Sequence, residues 1–311
     1  MHCGNPTDNN FKIIISAFFM SVFFVICGIL IYLKYPTGIN KEEISIYVKK
    51  KIKQLMIPYF VFGFVLILFF QGLHVIAGES LDMMHMTFKL ISLQGIESMW
   101  FLPCYMISEM LFVLLVCKLK DSFQLIFMSL LFIIVAVVDI LGMPEIWIYR
   151  VLMKVIIGTI FIYAGYIIAK YKIITRLSIP SVCIMSIIFS ISAVRNGFIG
   201  IGALNLSNVF LFFINGIAIS IIVLFLGKKL SSFQLKYLTK FGKNTIVIVC
   251  TNNLFIEIIR LLDYKLTGNL LLRYGGIGDV VFTFLMIVLE YLVICISEKY
   301  LYILFGKVRV K

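Results

Sequence analysis

The sequence predicts an all-α fold, a polytopic integral-membrane bundle of about nine transmembrane helices with the N-terminus outside and the C-terminus cytoplasmic. Three observations lead there. Of 311 residues, 62% are hydrophobic and 14% charged, which is too little polar surface for a water-soluble globule of this length. The apolar residues fall into nine stretches, each approaching or exceeding the ~20 residues that a helix needs to cross ~30 Å of hydrocarbon. Lys and Arg then concentrate on every second connection between the stretches.

The spans are placed at 12–33, 55–76, 99–117, 122–141, 149–169, 175–194, 206–227, 243–262 and 279–305. The first is apolar from Ile13 to Leu33 and closes at Lys34. Ahead of the second, Ile44 to Lys53 reads as a basic amphipathic helix leading into the membrane. Pro58 lies one turn into that span, where a kink is tolerated if neighbouring helices satisfy the freed carbonyl. The outer connection 77–98 places Met83, Met86 and Leu90 at helical spacing, which suits a short helix lying on the interface. Lys118 and Lys120 divide the third span from the fourth, Lys170, Lys172 and Arg176 the fifth from the sixth, and Lys228 and Lys229 close the seventh. No repeat, low-complexity run or soluble domain interrupts the series, so residues 1–311 form a single transmembrane domain.

Twenty of the 28 basic residues fall on one side, including Lys34, Lys41, Lys49, Lys50, Lys51, Lys53 and the tail residues Lys307, Arg309 and Lys311. The other side holds Asp8, Glu79, Asp82, Glu97, Glu145 and Asp263. The positive-inside rule makes the lysine-rich side cytoplasmic, in a plasma or inner cell membrane. The net charge of +13 then needs no nucleic-acid partner. The run at 41–53 is denser than topology requires and leaves room for a polyanion on the cytoplasmic face. Of seven Cys, Cys27, Cys104, Cys117, Cys183, Cys250 and Cys295 lie in or at the ends of spans without Cys-x-x-Cys or Cys/His spacing. They read as packing residues, with no metal site and no disulfide framework.

Charged groups near mid-membrane cost about 2.5–3.5 kcal/mol each on insertion scales and face the bundle interior. Here they are Glu109, Asp139, Lys154, Glu257, Arg260 and Glu290. Asp139 and Lys154 are expected to pair between helices, and Glu257 and Arg260, three apart, along one helix. Glu109 and Glu290 have no partner evident in sequence and are candidates for a polar cavity.

Four motifs occur in order. Met1-His2-Cys3-Gly4-Asn5 precedes the Phe-rich first span; Lys49-Lys50-Lys51-Ile52-Lys53 leads to Pro58-Tyr59; Met99-Trp100-Phe101-Leu102-Pro103 opens the third span; and Phe241-Gly242-Lys243-Asn244-Thr245 opens the eighth. Together they resemble the acyltransferase 3 family, membrane-bound O-acyltransferases of surface sugars similar to fucose 4-O-acetylases. The resemblance implies acetyl-CoA as co-substrate and a cell-surface glycan or lipid-linked sugar as acceptor. It makes His2 the catalytic base, a role that suits an imidazole titrating near working pH. It makes Lys49, Lys50, Lys51 and Lys53 the phosphate contacts, and it places Trp100, Phe101, Glu109, Asn252 and Asn253 in the substrate cavity. The chain departs from the family pattern where Phe19 stands for a His, Ser21 for a Pro and Cys27 for a Ser, and where Asn252-Asn253 replaces a late His. Nine spans starting outside resemble the family's ten with the first, which carries an Arg ahead of the catalytic His, missing. Two other readings stay open on sequence. One is a transporter or flippase-like carrier of glycan or lipid intermediates with Glu109, Asn205, Asn208, Asn215 and Glu290 along a passage. The other is a catalytically inactive family member.

Overall fold

The computed structural model describes residues 10–36, 38–77, 81–142, 146–233, 236–268, 277–301 and 304–305. His2, the rest of the Met1–Asn5 motif, Asp8, Glu79, Glu145 and the tail residues Lys307, Arg309 and Lys311 lie outside them.

The described chain is helical, with one isolated antiparallel bridge between Gly200 and Asn205. The helices are α1 (Asn10–Phe18), α2 (Ser21–Lys34), α3 (Lys41–Ala77), α4 (Met83–Ile91), α5 (Phe101–Leu114), α6 (Asp121–Leu141), α7 (Trp147–Lys170), α8 (Ile173–Arg176), α9 (Ile179–Asn196), α10 (Val209–Leu230), α11 (Lys236–Lys243), α12 (Thr245–Thr267) and α13 (Ile277–Lys299). Among the described residues nine helical segments are long and apolar enough to span a membrane, as the sequence predicts. An open backbone in hydrocarbon has no water to bond, and a helix satisfies its own amides. The ends are closed locally: Asn208 accepts from the Leu211 amide at 3.0 Å ahead of α10, and Gly268, left-handed at φ 69°, returns its N–H to the Tyr264 carbonyl behind α12.

Three elements differ from their sequence expectations. The basic segment and the second span form one continuous rod, α3, of 37 residues with Pro58 inside it. At about 55 Å it exceeds the hydrocarbon thickness, so the lysine-bearing turns extend past the apolar layer. The first span is broken at Phe19–Met20 into α1 and α2. No Pro or Gly stands at the break. Ser16, three residues before it, donates its hydroxyl to the Ile13 carbonyl at 2.7 Å and accepts the Ile199 amide at 3.1 Å, so the last turn of α1 is tied to the 197–208 connection. The short helix α4 forms where expected, capped by Asp82 accepting from the His85 amide at 2.9 Å. It does not lie wholly on the surface: Met83, Met84, Phe88 and Ile91 are exposed, while Leu90 is fully buried against Gly63.

The chain divides into two compact units. Unit 1 holds the described residues within Lys49–Pro103 and Leu235–Lys311, and unit 2 those within Thr7–Val48 and Cys104–Gln234. In unit 2, α2 and α7 pack backbone to backbone. A Cβ on Gly28 would overlap the Ile162 carbonyl, and one on Gly165 the Val25 carbonyl, so each glycine admits the other helix. Phe161 of α7 stands edge-on to Phe212 of α10 at 5.4 Å and contacts Phe213 at 5.1 Å. α10 also packs on α9 through Ile222, Phe225 and Val182. The ends sort as the charge pattern requires. Pro36 accepts the Tyr166 hydroxyl, Gly38 lies by Lys118, and Lys170 pairs with Asp121 at 2.6 Å at one end. The 197–208 connection meets Ser16 and Arg150 at the other.

In unit 1, Ile256 and Ile259 of α12 pack on Phe282 of α13. The Tyr59 hydroxyl donates to the Leu90 carbonyl at 2.7 Å, and the rings of Phe62 and Phe305 stack at 4.7 Å. The α11–α12 corner is fastened to α13 through Asn244, the Asn of the Gly-Lys-Asn-Thr motif. Its Nδ2 donates to the Lys240 carbonyl at 2.9 Å and to Glu298 Oε1 at 2.8 Å. Lys240 meets Glu298 Oε2 at 3.3 Å and Cys295 Sγ at 3.1 Å, which raises its ammonium above the ordinary lysine range.

The glycine contact gives a direct test. Gly28→Val or Gly165→Val is expected to lower stability in detergent by at least about 1–3 kcal/mol, because neither helix can retreat without opening the other's packing. Gly227→Ala, whose methyl group meets nothing within 4 Å, is expected to change it by no more than the about 0.5–1 kcal/mol gained by removing a helical glycine. Thermal unfolding of the purified variants separates the two outcomes.

Candidate functional site

Between α4 and α5 the backbone is forced into an unusual path. Leu93, Gly95 and Glu97 have φ of 61°, 78° and 48°, three left-handed positions in five residues. For Leu and Glu that conformation costs on the order of 1 kcal/mol or more and persists only where the surroundings hold it. The path wraps the chain under Trp100: a Cβ on Gly95 would collide with the Trp100 backbone, so this position requires glycine for space as well as for φ. Ile96 and Met99 are buried beneath, and the half-buried Trp100 indole stands edge-on to Phe101 at 6.2 Å.

Helix α12 packs against this turn and brings polar groups to it. Asn253, 5% exposed, donates through Nδ2 to Ser98 Oγ at 2.9 Å, and Ser98 donates on to the Val249 carbonyl at 3.1 Å. Asn252, half-buried, is next to it on α12. The structure therefore brings the predicted Trp100, Phe101, Asn252 and Asn253 into one neighbourhood of unit 1. Ser98 and Thr251, which connect them to their surroundings, were not singled out from sequence, although each adjoins a residue that was.

Glu290 of α13 completes the polar layer. It is 4% exposed, and Thr251 Oγ1 lies 2.9 Å from its Oε2 and 2.9 Å from the Val247 carbonyl. A hydroxyl has one proton. Thr251 therefore shares it between the Glu290 carboxyl and the Val247 carbonyl. Glu290 Oε1 is buried with no hydrogen-bond partner among the described residues.

The remaining predicted residues have other surroundings. Lys49, Lys50 and Lys53 are exposed and Lys51 half-buried, eight to twelve residues after the start of α3 at Lys41. Glu109 belongs to unit 2, is 5% exposed, and accepts the Tyr47 hydroxyl on Oε1 at 2.7 Å, with the Tyr47 ring edge-on to Tyr35 at 5.8 Å. Lys154 is buried on α7 and Asp139 half-buried on α6. Glu257 and Arg260 form the expected ion pair along α12. Among the described residues no three His, Cys, Asp or Glu side chains converge as a metal site.

The family model described as an acyltransferase domain matches residues 1–297. The chain belongs to the acyltransferase 3 family. It is a membrane transferase of acyl groups other than aminoacyl groups, and the match spans all four motifs and both units of this acyltransferase. No curated protein and no solved structure matches it significantly.

The Thr251 geometry predicts an asymmetry between substitutions. Glu290→Gln, whose amide oxygen accepts from Thr251 as the carboxyl does, is expected to keep thermal stability within about 1 kcal/mol. Thr251→Val leaves the buried carboxyl without its partner and is expected to cost about 1–3 kcal/mol. Equal losses in the two unfolding curves would refute this account of the pair.

Proposed function

We propose that this acyltransferase moves an acetyl group from cytoplasmic acetyl-CoA to a hydroxyl of a cell-envelope or exported polysaccharide, in a plasma or inner cell membrane. The observation that carries the reading is the family match over residues 1–297, joined by the order of the four motifs along the chain.

The chemistry follows from what an ester-forming transfer requires. The acceptor hydroxyl oxygen attacks the thioester carbonyl, a C–O bond forms, the C–S bond breaks, and the hydroxyl proton must reach the departing CoA sulfur. His2 is the candidate to take that proton and pass it on, because a neutral imidazole can accept and then donate near neutral pH. Lys49, Lys50, Lys51 and Lys53 put four positive charges within five residues of α3, a field suited to the phosphate groups of acetyl-CoA. Trp100 and Phe101 offer apolar faces beside the amide of Asn253, a combination that suits a sugar ring with its hydroxyls. Asn252 and Asn253 supply the polar contacts that orient it.

Membrane vesicles carrying the protein, given acetyl-CoA labelled in the acetyl group, are expected to transfer label to polysaccharide as an ester released by mild alkali. His2→Ala is expected to lower that transfer at least about 100-fold, the usual contribution of a general base. Replacing Lys49, Lys50, Lys51 and Lys53 together by Ala is expected to raise KM for acetyl-CoA with a smaller change in kcat. Label that appears only as free acetate, or transfer unchanged in His2→Ala, would overturn the mechanism.

A further inference from the structure

Tyr291, Cys295 and Glu298 of α13 are spaced by four and three residues, which places them on one face of that helix. The face converges on the Lys240 side chain of α11. Its ammonium lies 5.0 Å from the centroid of the Tyr291 ring, donates to Cys295 Sγ at 3.1 Å and meets Glu298 Oε2 at 3.3 Å. Asn244 steadies both partners, since its Nδ2 bonds the Lys240 carbonyl and Glu298 Oε1. An amine and a thiol from different helices are thus held in contact.

The pair is open to a reagent. The Lys240 side chain is 28% exposed and Cys295 is half-buried, whereas Cys27, Cys104, Cys117 and Cys250 are buried. It sits on the lysine-rich, cytoplasmic side, one turn from Lys299 in the last turn of α13. Lys236 and Lys243, both exposed on α11, add positive charge on the same short helix, which favours an anionic donor. An ion pair with Glu298 accounts for the ammonium, but it requires no sulfur at position 295. A cysteine thiolate is a strong nucleophile toward acyl groups, and a covalent intermediate divides one difficult transfer into two easier ones.

We propose that Cys295 and Lys240 form a self-acylation site, at which Cys295 takes an acyl group from a thioester and passes it to the Lys240 amine. In the first step the Cys295 thiolate, paired with the Lys240 ammonium, attacks the thioester carbonyl; a C–S bond to Cys295 forms, the donor's C–S bond breaks, and the donor leaves as a thiolate. That thiolate takes one proton from Lys240, which becomes a neutral amine. In the second step Lys240 Nζ attacks the acyl carbon; a C–N bond forms, the C–S bond to Cys295 breaks, and a proton moves from nitrogen to sulfur, restoring the thiol. No oxidant or reductant is needed. The 3.1 Å separation of Nζ from Sγ brings the amine within near-attack range of an acyl carbon bonded to that sulfur. The product amide has no charge, so the contacts of Lys240 with Glu298 and the Tyr291 ring are weakened and α11 is released from α13. Acetyl-CoA as the donor rests on the reading above, whereas the pair requires only a thioester.

The test uses the full chain in lipid nanodiscs at neutral pH, with acetyl-CoA or the neutral thioester S-acetyl-N-acetylcysteamine as probe, and follows acetylation residue by residue by mass spectrometry. Lys240 is expected to be acetylated at least about tenfold faster than Lys236 and Lys243, which report unassisted reaction on the same helix. Cys295→Ser, with Cys295→Ala as the second variant, is expected to bring Lys240 down to the rate of Lys236. Lys240→Arg keeps the positive charge but cannot complete the transfer, so an acetyl group releasable by hydroxylamine is expected to accumulate on Cys295. Lys240 reacting no faster than Lys236, an unchanged rate in both Cys295 variants, or no acetyl group on Cys295 in Lys240→Arg overturns the proposal. Reaction with the neutral thioester but not with acetyl-CoA supports the pair and removes acetyl-CoA as its donor. Acetylation of Lys240 through Cys295 in a protein that labels no polysaccharide likewise supports the pair and removes the polysaccharide reading.

Discussion

In hydrocarbon a polar group finds its partner within the protein or goes without one, and much of this structure answers that constraint. The described backbone is resolved almost wholly into helices. Hydroxyls inside the spans turn back on their own helix, as Thr159 does to Val155 and Ser220 to Gly216. Where a helix must turn, a side chain takes up the loose ends: Asn244 joins α11, α12 and α13 through the Lys240 carbonyl and Glu298. Against that background the few buried polar groups without partners stand apart. Among the described residues Glu290 Oε1 and the amide of Asn215 are two such groups, and packing alone gives no reason to keep them.

The second organising contact is the approach of α2 to α7. Apolar side chains gain nothing by leaving lipid for one another, so helices associate by close packing. Gly28 and Gly165 provide it by bringing carbonyls of the opposite helix to where a side chain would stand. Holding α2 in this way sets the position of its first turn, where Gly216 admits Ser21 and where the first span is broken. In unit 1 the comparable role falls to Gly95, which lets the chain pass beneath Trp100 in the turn where Ser98 meets Asn253.

Much of the candidate site was legible in the sequence, for differing reasons. Trp100, Phe101, Asn252 and Asn253 are marked by motif resemblance. Glu290 was marked by the energetic cost of a carboxyl in lipid. Ser98 and Thr251 were not legible, because a Ser or Thr in an apolar helix usually bonds its own backbone, and only the neighbouring helix shows that these two also bond a side chain across the gap. Asn215 appeared in sequence as one of several polar residues along a passage, and nothing there separated it from Asn208, which caps α10.

The sequence by itself determined the class, the number of spans and which connections share a side, since apolar length and charge are summed locally along the chain and the bilayer reads them segment by segment. It also carried the family, through short motifs whose order survives. Tertiary structure alone decided the break in the first span, the fusion of the basic segment with the second span into α3, and the assignment of Glu109 and Asn253 to different units. Each of these depends on what stands across a helix interface, whether a hydroxyl, a glycine or a carbonyl, and such partners are set by three-dimensional packing between segments far apart in sequence.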